Sequence, residues 1–513
     1  MAMFAMLGSS AMKPCTFLLA LLSITTLVHS AEVGHVKVVS DKVEDVSSMD
    51  AWREAFIKPE MTPEQKAMAV WESAVKFRHH DLPDAKEFVG NAPEPQKVYD
   101  AIRLFNVYGY CTGNVAQHAF LQLARAAGLE ARHLSIFRWG VPEVRYNNSW
   151  HMYDVGMINY FPKDDGTIAS VEEIVAAVKG WHEKNPGYHD KVDLLKTYMK
   201  DPGMKAGPAL LLNCPTLQAD GSYPLNYFGW YSTMLVYDVE KRPFVYEERY
   251  RQGYELNNRL RRGEKLTFNW SNKGLHVGML DEPRKAPDTL NVAVGTKQLR
   301  YTPKWGDLAN SRIGNGTLEY APPLEEVAQT ALTFENLKHN ADGIAIADAG
   351  KPGVLVLEMP CSYVYLTGQL DLTTSGPVAV EISTDDGAHW QELQTFQSAG
   401  QHAIDLQKLI LRRYSYRLKL ILVQPQARIT AMKLFHDFQH SQRALPALAS
   451  GENTIKFSAD QSVVASPVQV TYRWEEQGRE KQDLHLARAA VETYKIVCAR
   501  KPTMKSLTLE LVP

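Results

Sequence analysis

"GYCTGNVAQHAFLQLARAAGLEARHL", residues 109–134, decides how the first third of the chain is read. Val115, Ala119, Leu123, Ala126 and Ala127 recur at helical spacing, and Gly128 closes the run as a C′ residue. Cys111 stands at the head of that helix. Unpaired amide donors at a helix N-terminus favour a thiolate over a thiol. Downstream, "ARHLSIF", "VPEVRY" and "SWHMYDV" read as three strands, the last ending at Asp154.

Working outward, "MTPEQKAMAVWESAVKFRHH" carries Thr62 as N-cap, Pro63 at the first helical position and Gln65 at the capping-box position. Trp71 falls on its apolar side and reads as core, and His79 and His80 end the helix. "SVEEIVAAVK", from Ser170, is a further capped helix. From about Pro208 the chain becomes β-rich and aromatic, with "KLTFNW" and "LNVAVG" as strands. "GVLVLEMP", "VAVEIS", "YRLKLILV" and "ITAMKLFHDF" alternate or run apolar at strand length, the pattern of a β-sandwich. Pro and Gly clusters at 283–288, 321–323 and 446–451 mark boundaries.

The 513 residues are too many for one ordinary domain, and roughly two to four are expected. Apolar content of 45% with 22% charged residues is that of a folded chain. The formal charge of −2 argues against a nucleic-acid partner. Lys13, the apolar run "FLLALLSITTLV" and the small residues "HSA" form a signal peptide cut near Ser30 or Ala31, so a secreted or periplasmic protein is expected. No later run reads as a membrane span. After Cys15 is removed with that segment, Cys111, Cys214, Cys361 and Cys498 remain, and Cys361 is a possible partner of Cys498.

The 109–134 stretch, followed by "VPEVRYNNSWHMYDVG", resembles the transglutaminase-like superfamily of papain-related cysteine enzymes. The resemblance covers roughly residues 60 to 160. It implies an α+β fold with Cys111 as nucleophile, Asp154 as the orienting acid, and Glu143 at the family's Glu position. Four residues before Glu143, where that family places its histidine, stands Trp139. An indole N–H can only donate, so it cannot take the thiol proton. His151 is the nearest substitute, but on a strand Trp150, Met152 and Asp154 share one face and His151 and Tyr153 the other. His118 lies on the cysteine's helix, roughly 10 Å further along the axis.

Two other stretches attract function. "STDDGAHW", Ser383 to Trp390, resembles the Asp-box turn of sialidases and other extracellular carbohydrate-active proteins. In it Asp385 accepts backbone donors, Gly387 takes the unusual backbone angle and Trp390 packs beneath. "YELNNRLRRGEKLTFNWSNKGLHVGM", Tyr254 to Met279, offers Arg259, Arg261 and Arg262 for an acidic polymer, and Asn269, Trp270, Asn272 and His276 for a sugar cleft. Trp139 and Trp150 are further stacking candidates. His436 and His440 read as a solvated strand end, and no metal or cofactor motif is present.

The expected fold class is α+β multidomain. A signal peptide (1–30) is followed by a transglutaminase-like α+β domain (31–200), a β-rich middle domain (201–325), a β-sandwich (326–445) and a small C-terminal β element (446–513). The leading functional expectation is lyase or hydrolase action on an extracellular polymer, a polysaccharide with an acidic glycan as one candidate, without a complete thiol triad. Its candidate catalytic residues are Cys111, Asp154, His151 and His276. The alternatives are a thiol amidase, peptidase or transamidase with a rearranged base, and a non-catalytic carbohydrate-binding protein.

Overall fold

A computed structural model describes residues 31–77, 79–80, 98–111, 113–136, 139–156, 159–186, 208–213, 243–244, 253–277 and 313–512. The signal segment, Cys214 and the strand expected at "LNVAVG" lie outside them. The chain mixes helices with several β-sheets, and its C-terminal half is β-rich. Among the described residues no helix is long and apolar enough to cross a membrane.

The N-terminal helices form where their end signals stand. At helix Pro63–Phe77, the Thr62 amide donates to Gln65 Oε1 at 2.9 Å and the Gln65 amide to Thr62 Oγ1 at 3.2 Å, a reciprocal capping box. Ser170 and Glu173 make the same exchange at helix Val171–Lys184. The central helix, Gly113–Ala126, ends at Gly128, whose φ of 79° only a glycine adopts without strain. It packs on an antiparallel sheet in the order 149–152, 139–146, 130–136, 243–244. His79 and His80 do not finish the preceding helix. They form a two-residue parallel strand beside Tyr110–Cys111, with His80 in register with Cys111.

The expected strand alternation is realised in the β-rich C-terminal half. Strands Gly353–Pro360, Val378–Ser383 and Ser415–Leu422 belong to a five-stranded sheet and bury Leu355, Leu357, Val378, Val380, Leu418 and Leu420. A separate eleven-stranded sheet includes the long strand Arg428–Ser441. This sheet also takes in Glu264–Asn269, Ile313–Tyr320 and Thr503–Leu511. Strand Glu32–Ser40 leaves the N-terminal helices and pairs with Gly451–Ser458 on one side and Asn258–Arg261 on the other. Sheets therefore interleave residues from 31–200, 201–325, 326–445 and 446–513, and one hydrophobic core runs through all of them.

One local reading is corrected, and one cysteine pairing left open by the sequence is resolved. His436 and His440 are wholly buried in strand Arg428–Ser441, not solvated. His436 Nε2 shares a 2.7 Å hydrogen bond with the Tyr416 hydroxyl, and His440 sits among Phe268, Tyr363 and Phe438. Cys361 and Cys498 are free thiols, not a disulfide. The Ser383–Trp390 turn has the expected form. Asp385 accepts the His389 amide at 2.9 Å, Gly387 has φ 87°, and Lys419 covers the Trp390 ring at 3.9 Å.

Candidate functional site

Cys111 is set by the backbone before it. Asp100 caps a short helix by accepting the Ile102 and Arg103 amides at 2.9 and 3.0 Å. The next turn widens into a π-helix, Leu104–Tyr108, a form enriched at functional sites. Gly109, at φ 68°, closes it by donating to the Leu104 carbonyl at 2.7 Å. Cys111 then lies two residues before the central helix, fully buried. No polymer reaches a sulfur so enclosed without displacement of its surroundings.

The neighbouring sheet orders the other candidates. Glu143 faces Met152, and the Tyr153 amide continues the ladder to the Pro142 carbonyl at 3.1 Å. Asp154 follows, fully buried, with Asn159 paired to its backbone on both sides and the Gly156 amide donating to Oδ1 at 2.8 Å. Trp71 donates its indole N–H to the Asp154 carbonyl at 3.2 Å. Glu143 meets Arg132 at 2.7 Å and accepts the Val171 amide at 2.7 Å. Burial raises its pKa against those two favourable partners. Trp150 is half-buried beneath the Arg132 guanidinium at 4.1 Å. His151 points the other way, as the strand period requires. Its ring stacks on Tyr146 at 3.7 Å, and its nitrogens meet the carbonyls of Ile168 and Tyr146 at 2.6 and 3.2 Å. Trp139 begins strand Trp139–Tyr146 opposite Ile136; its side chain lies outside the described residues.

Two other histidines gather against the central helix. His133 Nε2 shares a 3.0 Å hydrogen bond with Gln117 Oε1, and its ring lies 5.8 Å from that of His118. The imidazole occupies the space over Gly140, where a Cβ would stand 2.1 Å from Nε2. Burial lowers the pKa of His118 to about 4; burial and then His118 lower that of His133 to about 3. Both imidazoles are neutral at physiological pH and weakly basic. Sequence reasoning passed over His133; its signal was Gly140, which leaves a ring-sized gap in the adjoining strand.

The arginine-rich segment serves the framework. Arg259 pairs with Glu32 at 2.6 Å. Arg261 is buried, forked onto Glu264 at 2.8 and 3.0 Å and stacked on Tyr320 at 3.9 Å. Arg262 reaches Glu326 at 3.1 Å. The Asn269 and Asn272 amides donate to the carbonyls of Asn315 and Ile313 at 2.7 and 3.3 Å. Trp270 packs half-buried on the core, and His276 is buried. These residues do not join Cys111 and Asp154 in one cleft.

A cleft does form at the start of this segment, with a volume of about 280 Å³. Arg103, Tyr254, Glu255, Asn257, Arg259 and Tyr414 line it. The Arg103 guanidinium lies between the Tyr254 and Tyr414 rings, at 5.2 and 4.8 Å from their centroids. Tyr414 shares a 2.9 Å hydroxyl–hydroxyl hydrogen bond with Tyr108 of the π-helix. Tyr254 donates its hydroxyl to the Ser362 carbonyl at 2.7 Å, and burial raises its pKa well above the usual range. Cys361 also borders the cleft, its thiol pushed up to about 12 by burial and so inert at neutral pH. Among the described residues no group of three or more His, Cys, Asp or Glu side chains is placed to hold a metal ion.

No family model matches the sequence, and no curated protein matches it. Among solved structures, the glycoside hydrolase domain of Endo-D from Streptococcus pneumoniae R6 shares 10% identity with this chain over 36% of its length. The match spans 28% of that chain with a TM-score of 0.10, too low to carry an argument.

Proposed function

We propose that this chain is an exported protein with a transglutaminase-like N-terminal region that acts on an extracellular polysaccharide by lyase-type chemistry, without a thiol triad. The observation that carries this reading is the cleft between Arg103, Tyr254 and Tyr414. Tyrosine faces stack on sugar rings, and Asn257 and Glu255 supply hydrogen-bonding groups at its edge. Hydrolysis by a carboxylate pair needs two acids. The described lining holds one, Glu255. Arginine and tyrosine are the groups an elimination uses. A proton leaves the carbon beside the carboxyl group, a carbon–carbon double bond forms, and the glycosidic C–O bond breaks. The departing oxygen takes a proton. In this reading Tyr414 takes the first proton as its phenolate, with the Tyr108 hydroxyl donating to that oxygen. The sequence order of Cys111, its helix and the Asp154 strand supports the fold half of the reading, and the N-terminal segment supports export.

The test is a panel of acidic and neutral polysaccharides incubated with purified protein, followed by ultraviolet absorbance of unsaturated products. No product and no binding on any polymer sinks the proposal. Binding without turnover leaves a carbohydrate-binding protein.

A second reading, a thiol amidase, peptidase or transamidase, draws on the two neutral imidazoles of His118 and His133 beside the cysteine's helix. It requires Cys111→Ala to abolish activity and a thiol reagent to label Cys111 in the folded protein. A folded chain whose Cys111 stays unlabelled removes it.

A further inference from the structure

We infer that His35, carried on a β-bulge beside the cleft, is an outer binding residue that takes the sugar unit next to those the cleft encloses. This rests on the polysaccharide reading above and adds to it a subsite and the group that forms it.

Strand Glu32–Ser40 is irregular at one point. Val33 pairs with Leu260 and Val36 with Asn258, so Gly34 and His35 together stand opposite the single residue Arg259. The extra residue lets Val33 and Val36 both be buried while His35 is exposed. That need explains a bulge but not an imidazole in it. His35 has φ 54°, a left-handed angle that glycine adopts without strain and histidine does not. If position 35 served only to complete the bulge, glycine would do so at less cost.

Remote residues hold the strained position in place. Gly34 donates to Asp460 Oδ2 at 2.7 Å and its carbonyl accepts the Asp460 amide at 3.0 Å. The His35 amide donates to Asn257 Oδ1 at 3.0 Å. With its oxygen so engaged, the Asn257 carboxamide presents its NH2 group to His35 Nε2, at 3.4 Å. An NH2 group only donates, so Nε2 accepts and the ring proton stands on Nδ1. Among the described residues that N–H meets no acceptor. Asn257 and Arg259 both line the cleft, which puts the imidazole at its edge. At about 280 Å³ the cleft is at the small end of ligand pockets, so a polymer must continue past that edge. An N–H donor there suits the hydroxyl and ring oxygens of the next sugar, whatever the charge of the polymer.

The test uses the full chain and oligomers of defined length, as dimers, tetramers and hexamers, of galacturonate, guluronate, chondroitin and cellulose. Affinities are read by calorimetry, and folding by thermal unfolding. In the series that binds, affinity rises between a short oligomer held in the cleft alone and a longer one. The step is roughly threefold to tenfold, the size of one hydrogen bond. His35→Gly removes the step, leaves the short oligomer's affinity unchanged, and melts at the same temperature or higher because the left-handed angle is no longer strained. A step that survives His35→Gly overturns this inference and leaves the polysaccharide reading standing. So does an equal loss of affinity at every length, or a lower melting temperature, either of which makes the imidazole a structural part of the bulge. Absence of any step in the unaltered chain overturns it as well. Failure of every oligomer to bind overturns both readings.

Discussion

Acid should unfold this protein over a pH range set by its buried histidines. His118, His133, His436 and His440 are each at most 4% exposed. Burial lowers their pKa values to about 4, 3, 3 and 4, from an ordinary value of 6.5. All four are depressed in the folded state, so the unfolded chain binds protons first as pH falls. The stability they contribute is present above 6.5 and is lost as pH falls toward 4, then 3. At about pH 5 each unfolded imidazole has gained about 2 kcal/mol from protonation, and four together about 8 kcal/mol. A whole domain's stability is only about 5–15 kcal/mol. Glu143 works in the opposite direction at the acid end, because its pKa is raised by burial. The assay is urea unfolding at several values between about pH 7.5 and 4.5. His440→Phe is run alongside, because that ring already sits among Phe268, Tyr363 and Phe438. The unfolding free energy should fall steeply across the range, and His440→Phe should flatten the slope by about 1.4 kcal/mol per pH unit. A flat profile between about pH 7 and 4.5 would refute the reasoning.

Two packing predictions follow from single positions. Gly140→Ala puts a Cβ 2.1 Å from His133 Nε2 and 2.9 Å from Gln117 Oε1. It should cost about 1–3 kcal/mol in thermal or urea unfolding, and an unchanged melting temperature would mean the imidazole does not sit there. Arg261→Met strands the Glu264 carboxylate, which is 3% exposed. It should cost about 3–5 kcal/mol, while Arg261→Met with Glu264→Leu recovers most of the loss. Equal losses from the single and double variants would argue against a buried ion pair.

What the sequence made legible was local. Thr62 with Gln65 and Ser170 with Glu173 carry their capping partners three residues away, so the helix starts could be read directly. Gly128 and the alternation of residues 353–360 and 415–422 were equally self-contained. Partner choice was not legible. "EVGHVKVVS" announces a strand, but its ladder to 451–458 closes across more than four hundred residues. Arg261 was offered for an acidic polymer; Tyr320 and the Glu358 carbonyl, both remote in sequence, bury it instead. His436 and His440 looked like a strand end because the strand's length, Arg428–Ser441, is fixed by neighbours on both sides. The cleft was the least visible feature. It assembles residues 103, 254–259 and 414, and none of these stretches carries a motif alone. His133 was hidden for a related reason: attention to position 139 follows one strand, whereas the imidazole reaches across from the next.

The account's central claim places polysaccharide action in the Arg103–Tyr254–Tyr414 cleft and not at the buried cysteine. The most direct measurement compares three full-length proteins on one turned-over polysaccharide: the unaltered chain, Cys111→Ala, and Asn257→Trp, which fills the cleft. Near-normal product formation by Cys111→Ala, with loss of it in folded Asn257→Trp, is the predicted result. Loss of activity in Cys111→Ala, with full activity in Asn257→Trp, would contradict it.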